Sequence, residues 1–569
     1  MFADSSASPP SAQALGETLA PEPIVHALRR MGSSHPTMAA THVPARAWPF
    51  SEPHYRTATF AELDRRSEAI AAGFTELGVG PGVKVAMLVP PTEDFFALAF
   101  GLLKAGAVPV LVDPGIGLAH LKACLGEAEP EAFVGVPKAH LARQLFGWCP
   151  SARVQVSVGG GLLGRFLAGG PSLAHVEQRG DLAVKRGAWR APNIGGDTLA
   201  AVVFTSGSTG VPKGVEYRHA ELAAQARMLR TLYGIEPGLT NVATFPPFAL
   251  FGPSLGMTTV IPKMDPTRPA KVNPARILDA AHRFEATMMF GSPALLDTVS
   301  RWGGRTGARL RGIRRVLSAG APVPPRVIRR MLAMLPEGAE IFTPYGATEA
   351  LPVCNIGSRD VLSLVESRTG ICVGTPAPGI DVAIIGIRDT PIETLSDSDF
   401  VERGTVGEIV VRGANVTHAY HGRDGATRLA KTSWGGRLAH RMGDLGWFDA
   451  AGRLWFAGRK AHRVETNSGP LFSVPIEEVF NAHPRVLRTA LVGVPGANGK
   501  EPVLCVELEP DARPSEFLTQ EILALGAADP EHTGAQQVQR VLYHPGFPVD
   551  IRHNSKINRE ALAVWATRR

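Results

Sequence analysis

No stretch of this 569-residue chain reads as a membrane-spanning helix, because its most apolar segment, Phe95 to Val112, carries Lys104 and is interrupted by Gly101, Gly106 and Pro109. A helix followed by a buried strand is expected there. The N-terminus lacks the basic start and apolar middle of a signal peptide. Asp4 is followed by Ser5, Ser6, Pro9 and Pro10, which predicts a disordered leader over residues 1–24. Cysteine is scarce: Cys124, Cys149, Cys354, Cys372 and Cys505 lie far apart with no CxxC pair. That excludes a zinc ribbon or a disulfide framework and predicts reduced thiols in a cytoplasmic protein. Basic runs are also missing. The formal charge is +7, but Lys and Arg are scattered, so no nucleic-acid partner is expected; diffuse positive charge suits an anionic substrate or a membrane surface.

What the chain has in quantity is punctuation. Sixty-one Gly and 47 Pro beside a hydrophobic fraction of 44% predict a folded, loop-rich protein, and the length implies about two to four domains. From Thr57 onward, amphipathic stretches such as Phe60 to Leu77 alternate with short apolar runs such as Val83 to Val89 and Val108 to Val112. The pattern returns at Ala200 to Phe204, Ala286 to Phe290 and Arg314 to Leu317, and predicts an α/β fold with parallel strands whose turns bind ligand. Gly159 to Gly170 contains a formal GxGxxG, but Gly169, Gly170 and Pro171 stop the helix a dinucleotide site needs, so a loop with a short helix is expected. Between about Gly370 and Gly458 β-type runs predict a β-rich subdomain. The last segment, from Arg459, has its own helix near Pro475 to His483 and strands near Leu487 to Val494 and Pro502 to Glu509, enough for a small α+β lid. The expected division is therefore 25–458 for a large N-terminal domain and 459–569 for a mobile C-terminal lid.

The most informative motif follows the apolar run Ala200 to Phe204: Thr205-Ser206-Gly207-Ser208-Thr209-Gly210-Val211-Pro212-Lys213-Gly214. Its glycines let backbone N–H groups converge, its hydroxyls add donors and Lys213 adds a cation, which together suit a polyphosphate. Gly214 stands where a Walker loop needs Ser or Thr, so this is a different phosphate loop.

This run resembles the phosphate loop of the adenylate-forming superfamily of acyl-CoA synthetases, luciferases and nonribosomal-peptide adenylation domains. Further motifs fall in that family's order between Thr57 and Leu562. The resemblance implies that Ser318-Ala319-Gly320-Ala321-Pro322 packs on one face of adenine and that Tyr345, in Tyr345-Gly346-Ala347-Thr348-Glu349, stacks on the other. It implies that Thr348 bonds phosphate, that Glu349 binds Mg²⁺, and that ATP is the co-substrate held by an N-terminal AMP-binding domain. Asp444 in Gly443-Asp444-Leu445-Gly446 would bind ribose, with Arg459 adding a ribose or phosphate contact. Lys556, in Asn554-Ser555-Lys556-Ile557-Asn558-Arg559, resembles the lid lysine that bridges carboxylate and α-phosphate during adenylation.

Departures from the family concern the second half-reaction. Ala461 stands where relatives have a hinge Asp or Lys, Glu465 or a neighbour lies near the place of a second catalytic lysine, and Ala249 stands where many acyl-CoA ligases carry His. The wording of LVDPGIG from Leu111, PKAHLAR from Pro137, HRMGDLG from His440 and GRKAHRVET from Gly458 is similar to one subgroup, the olefin β-lactone synthetases. That similarity implies a long-chain 2-alkyl-3-hydroxy fatty acid, closed through its acyl-adenylate to a β-lactone, and possible assembly with other olefin-biosynthesis enzymes. His462 is the candidate base for closure, a neutral imidazole being suited to accept a proton near pH 7. A long-chain acyl-CoA or acyl-AMP ligase and a non-catalytic nucleotide-binding scaffold stay open beside this reading. Phe245 to Met257 and Met288 to Leu295 fit either the walls of an alkyl pocket or ordinary core.

Overall fold

The computed structural model describes residues 23–45, 54–205, 212–364, 370–496, 499–529, 534–549 and 557–569. The expected leader lies almost wholly outside them; from Ile24 a helix runs to Ser34 and buries Leu28 and Met31. Among the described residues no helix is long and apolar enough to cross a membrane. The apolar stretch resolves as expected into the helix Glu93–Lys104 and the buried strand Val108–Leu111. Lys104 is tolerated inside because Asp64 and its carbonyl accept from it. Asp64 belongs to the helix Phe60–Glu76, which starts at Thr59 because that side chain and Glu62 satisfy each other's backbone N–H groups.

Two mostly parallel sheets build the bulk of the chain. In the first the spatial order is Val154–Ser157, Ala132–Gly135, Lys84–Leu88, Val108–Leu111, Leu199–Phe204 and Gly214–Arg218, with the last strand antiparallel to its neighbour. In the second, Glu340–Phe342, Arg315–Leu317, Met288–Phe290, Thr240–Ala243, Thr258–Val260 and Ala39–Pro44 run parallel, and Tyr55–Thr59 closes the edge antiparallel. Helices cover both, as parallel strands buried on two faces require.

The third sheet is antiparallel and begins earlier than the composition suggested. Its first strands, Tyr345–Ala347 and Ala350–Asn355, precede Gly370. They are too short, and too interrupted by Gly346 and Pro352, to be read as strands without their partners. The sheet continues through Ile371–Pro376, Leu454–Arg459, Arg437–Phe448, Gly407–Gly413 and Ile380–Ile385. After Arg459 a single 3-10 turn, Lys460–His462, leads to a smaller α+β unit. There Val486–Gly496 and Gly499–Leu508 pair antiparallel and Arg540–Tyr543 adds in parallel, with helices Ser473–Asn481, Glu516–Ala527 and Arg559–Thr567 beside them.

Candidate active site

Turns from all three large sheets meet in one place. The strand Leu199–Phe204 ends in the Gly- and hydroxyl-rich loop. Ser206, Gly207, Ser208, Thr209 and Gly210 lie outside the described residues, but both stems are fixed. Thr205 N–H donates to the Lys213 carbonyl at 3.0 Å, and Lys213 N–H to Thr205 Oγ1 at 3.2 Å. Arg423 clamps the exit, donating to the Pro212 carbonyl at 3.0 Å while it grips Glu127 with two nitrogens.

Thr348 and Glu349 are the two-residue tip of the hairpin between Tyr345–Ala347 and Ala350–Asn355. The tip is held by its own carbonyls: Tyr217 Oη donates to that of Thr348, and Thr417 N–H and Oγ1 to that of Glu349 at 3.0 and 3.1 Å. The Glu349 carboxylate accepts from Tyr420 Oη at 2.6 Å. Lys213 Nζ lies 4.8 Å from the centre of the Tyr420 ring, so the loop lysine and the hairpin acid face each other across one phenol. Burial lowers the Lys213 ammonium from its ordinary value, opposed by the Glu349 charge.

Ser318 to Pro322 and Tyr345 approach because the strands that precede them, Arg315–Leu317 and Glu340–Phe342, are neighbours. Leu317 pairs with Phe342, Ser318 N–H donates to the Phe342 carbonyl at 3.0 Å, and Tyr345 follows three residues on. Ala319 is buried, Ala321 half-buried, and Gly320 has φ +95°, which a residue with a Cβ adopts poorly. Across the site Asp444 and Arg459 are cross-strand partners whose side chains meet at 3.0 Å, and Tyr345 Oη donates to the other Asp444 oxygen at 2.7 Å. Burial, and next the Asp444 charge, push the Tyr345 phenol well up, so it stays a donor. Gly346 and Ala347 complete the strand, where a Cβ at 346 would lie 2.6 Å from the Ala350 carbonyl oxygen.

An apolar cavity opens beside the Ser318 turn, walled by Phe248, Phe251, Met257, Met288, Phe290 and Ala319 among others. Phe248 and Phe290 stack with centroids 4.4 Å apart. Alternation along the strand Met288–Phe290 settles what the two methionines do: Met288 and Phe290 face the cavity, while Met289 packs into the core of the second sheet.

A profile of the AMP-binding enzyme family matches residues 36–421. The chain belongs to this family. It is 50% identical over 520 residues to the olefin beta-lactone synthetase of Xanthomonas campestris pv. campestris, covering 90% of this chain and 91% of that one. It is 48% identical over 519 residues to the olefin beta-lactone synthetase of Stenotrophomonas maltophilia, with 90% and 91% covered. Among solved structures, an amide bond synthetase from Marinactinospora thermotolerans matches with TM-score 0.74 at 24% identity, over 95% of this chain and 100% of that one; that likeness bears on the fold.

The positions read from sequence as departures from the family fall at informative places. Ala249 is fully buried in the core shared by the first two sheets, while its neighbour Phe248 faces the cavity. Ala461 sits inside the 3-10 turn between two pinned cations. Lys460 bonds Glu408 at 2.9 Å and the Arg388 carbonyl at 2.8 Å, and Arg463 bonds Asp389 at 2.5 Å. His462, the candidate base, closes the same turn. Burial, with Arg559 and Arg459 adding, pushes its pKa down to about 3, which keeps the ring neutral near pH 7. Glu560 of the last helix is 3.5 Å from Nε2. Lys556 lies outside the described residues.

Several side chains of the site were not assigned from sequence, among them Tyr217, Thr417, Tyr420, Arg423, Lys431 and His440. Residues 419–421 lie along the strand Gly214–Arg218, with Glu216 N–H donating to the Ala419 carbonyl and His421 N–H to that of Gly214. This brings Tyr420 to Lys213. Lys431 and His440 are cross-strand partners, and Lys431 Nζ donates to Thr417 Oγ1 at 3.3 Å, one bond from Glu349. Burial lowers Lys431 to about 8 and keeps the His440 ring neutral, so a second ammonium backs the Glu349 hairpin.

Proposed function

We propose that the chain activates a long-chain 2-alkyl-3-hydroxy fatty acid with ATP and closes the acyl-adenylate to a β-lactone. The observation that carries this reading is Ala319, which belongs both to the turn beside Tyr345 and to the wall of the apolar cavity. An alkyl chain in the cavity would thus present its carboxylate to a nucleotide lying between that turn and Lys213. Fifty per cent identity to a beta-lactone synthetase over 90% of the chain supports the ring closure.

In this reading Asp444, with Arg459 fixing one of its oxygens, accepts from the ribose hydroxyls. Tyr345 and the Ala319-Gly320-Ala321 turn enclose adenine. Thr205 to Lys213 and Thr348 surround the phosphates with donors. Glu349 suits Mg²⁺, since it offers a hard carboxylate oxygen and that ion is commonly held by one or two carboxylates plus phosphates and water. When bound, the ion would neutralise phosphate charge. Lys556 follows the carboxylate oxygen to the α-phosphorus, where charge grows in the transition state.

Activation matters because a free carboxylate is a poor electrophile, whereas AMP is a good leaving group. The 3-hydroxyl oxygen attacks the acyl carbon, the bond from that carbon to the AMP oxygen breaks, and AMP departs with the electron pair while the hydroxyl proton passes to water. Tethering raises the effective concentration of the hydroxyl, offsetting part of the ring strain. The test is incubation with ATP, Mg²⁺ and a defined acid without CoA or carrier protein. Lactone and AMP support the reading; product only on adding CoA or a carrier sinks it in favour of a ligase, and no pyrophosphate release favours a scaffold.

A further inference from the structure

We propose that the helices Pro137–Phe146 and Gly161–Ala168 form a docking surface for an anionic lipid bilayer. The second helix is inside out: it buries only Gly164 and Ala168, while Leu162, Leu163 and Phe166 face solvent, Leu162 at 83% and Phe166 at 81% exposure. A helix packed for its own stability alone would turn the large side chains inward. The first helix adds Leu141, Leu145 and Phe146, also exposed.

The two helices form one rigid platform. Pro137 sits against Gly160 and Gly164, where an added Cβ on Gly164 would lie 2.4 Å from the Gly159 carbonyl oxygen, and Gln144 Nε2 donates to the Leu167 carbonyl at 2.8 Å. Contacts at both ends set the helices side by side in parallel. The buried His140 ring bonds the Val156 carbonyl at 3.0 Å and fixes the platform to the sheet. Contiguous exposed apolar surface on a well-packed base marks a docking site.

Charge selects the occupant. From Ala132 to Val176 the sequence contains no Asp or Glu, while Lys138, Arg143, Arg153 and Arg165 fall in the same span. Lys138, Arg153 and Arg165 are exposed. Two helices that carry large exposed apolar side chains with Lys138, Arg143 and Arg165 and no Asp or Glu match an interfacial surface whose apolar residues enter the acyl boundary while its cations meet lipid phosphates. A second copy docked face to face would oppose like charges. The helices follow the strands Ala132–Gly135 and Val154–Ser157, which run parallel with Leu199–Phe204 in the first sheet, so they leave from the same edge as the loop ending at Lys213. Membrane binding is independent of the chemistry proposed above and stands or falls separately from it.

The experiment is flotation of the full-length protein with vesicles of phosphatidylglycerol and phosphatidylethanolamine, against phosphatidylcholine alone. The protein should float with the anionic vesicles, less at high salt, and Leu162→Glu/Phe166→Glu should lower partition by about tenfold or more. Because both positions are exposed, the double variant should keep its circular dichroism and ATP affinity. Absence of the wild-type protein from anionic vesicles, or retention of the double variant on them, would overturn the assignment. So would a wild-type dimer that the double variant dissolves and vesicles do not, which would make the face an interface between copies.

Discussion

Glu408→Ala removes the centre of a buried ionic cluster and should cost more stability than most single substitutions in this chain. Glu408 and Arg441 are each 1% exposed and meet at 2.6 Å, and Lys460 bonds the second Glu408 oxygen at 2.9 Å. Removing one partner of such a pair strands a charge away from water, at a cost of about 3–5 kcal/mol. Arg441 also donates to the carbonyls of Thr390, Leu429 and Arg388. Those bonds persist, so the low end, about 3 kcal/mol, is expected. Against a stability of about 5–15 kcal/mol per domain this is a large fraction. The assay is urea unfolding followed by tryptophan fluorescence, since Trp434, Trp447 and Trp455 lie in the same sheet. The chain has several folding units, so the transition carrying that signal is the one to compare. Replacing both buried partners, as Glu408→Leu/Arg441→Met, should recover part of the loss because Arg441 is then no longer stranded, while Lys460, at 18% exposure, keeps the Arg388 carbonyl and reaches water. A loss below about 1 kcal/mol in Glu408→Ala, or no recovery in the double variant, would refute the reasoning.

Asp444→Ala should weaken ATP binding by about tenfold to a hundredfold in calorimetric titration, the scale of losing charge-assisted hydrogen bonds of about 1.5–3 kcal/mol. Lys556→Ala should leave ATP affinity nearly unchanged and slow carboxylate-dependent pyrophosphate exchange by about a hundredfold or more; equal losses of affinity in the two variants would contradict their separate roles. His462→Gln should flatten the acid limb of stability. The unfolded ring takes a proton below about 6.5 and the folded one only near about 3, so the unfolded chain binds more protons between those values and stability falls as pH drops through that window. Urea midpoints that lose the same amount on acidification in both proteins would contradict this.

The site was legible where chemistry is contiguous and illegible where folding assembles it. Thr205 to Gly214, Tyr345 to Glu349 and Asp444 each carry their meaning in a short run after a strand or in a turn. Lys431 and His440 become neighbours only through antiparallel register, and Tyr420 reaches Lys213 only because residues 419–421 lie along another strand. Met288 and Met289 are the same letter with opposite duties, decided by the pleat. The basicity of His462 is set first by its burial and then by Arg559, ninety-seven residues forward, and Arg459, and no local pattern reports that. The element order was readable because alternation of helix and strand period is local, whereas the start of the third sheet at Tyr345 needed its partner strands.

The most direct test of the central claim is the fate of oxygen. With a 2-alkyl-3-hydroxy acid carrying ¹⁸O in its carboxylate, attack on the α-phosphorus followed by ring closure leaves one labelled oxygen in AMP. Mass spectrometry of the AMP released without CoA should find that single label beside the β-lactone. Unlabelled AMP, or label recovered in inorganic phosphate, would contradict passage through an acyl-adenylate.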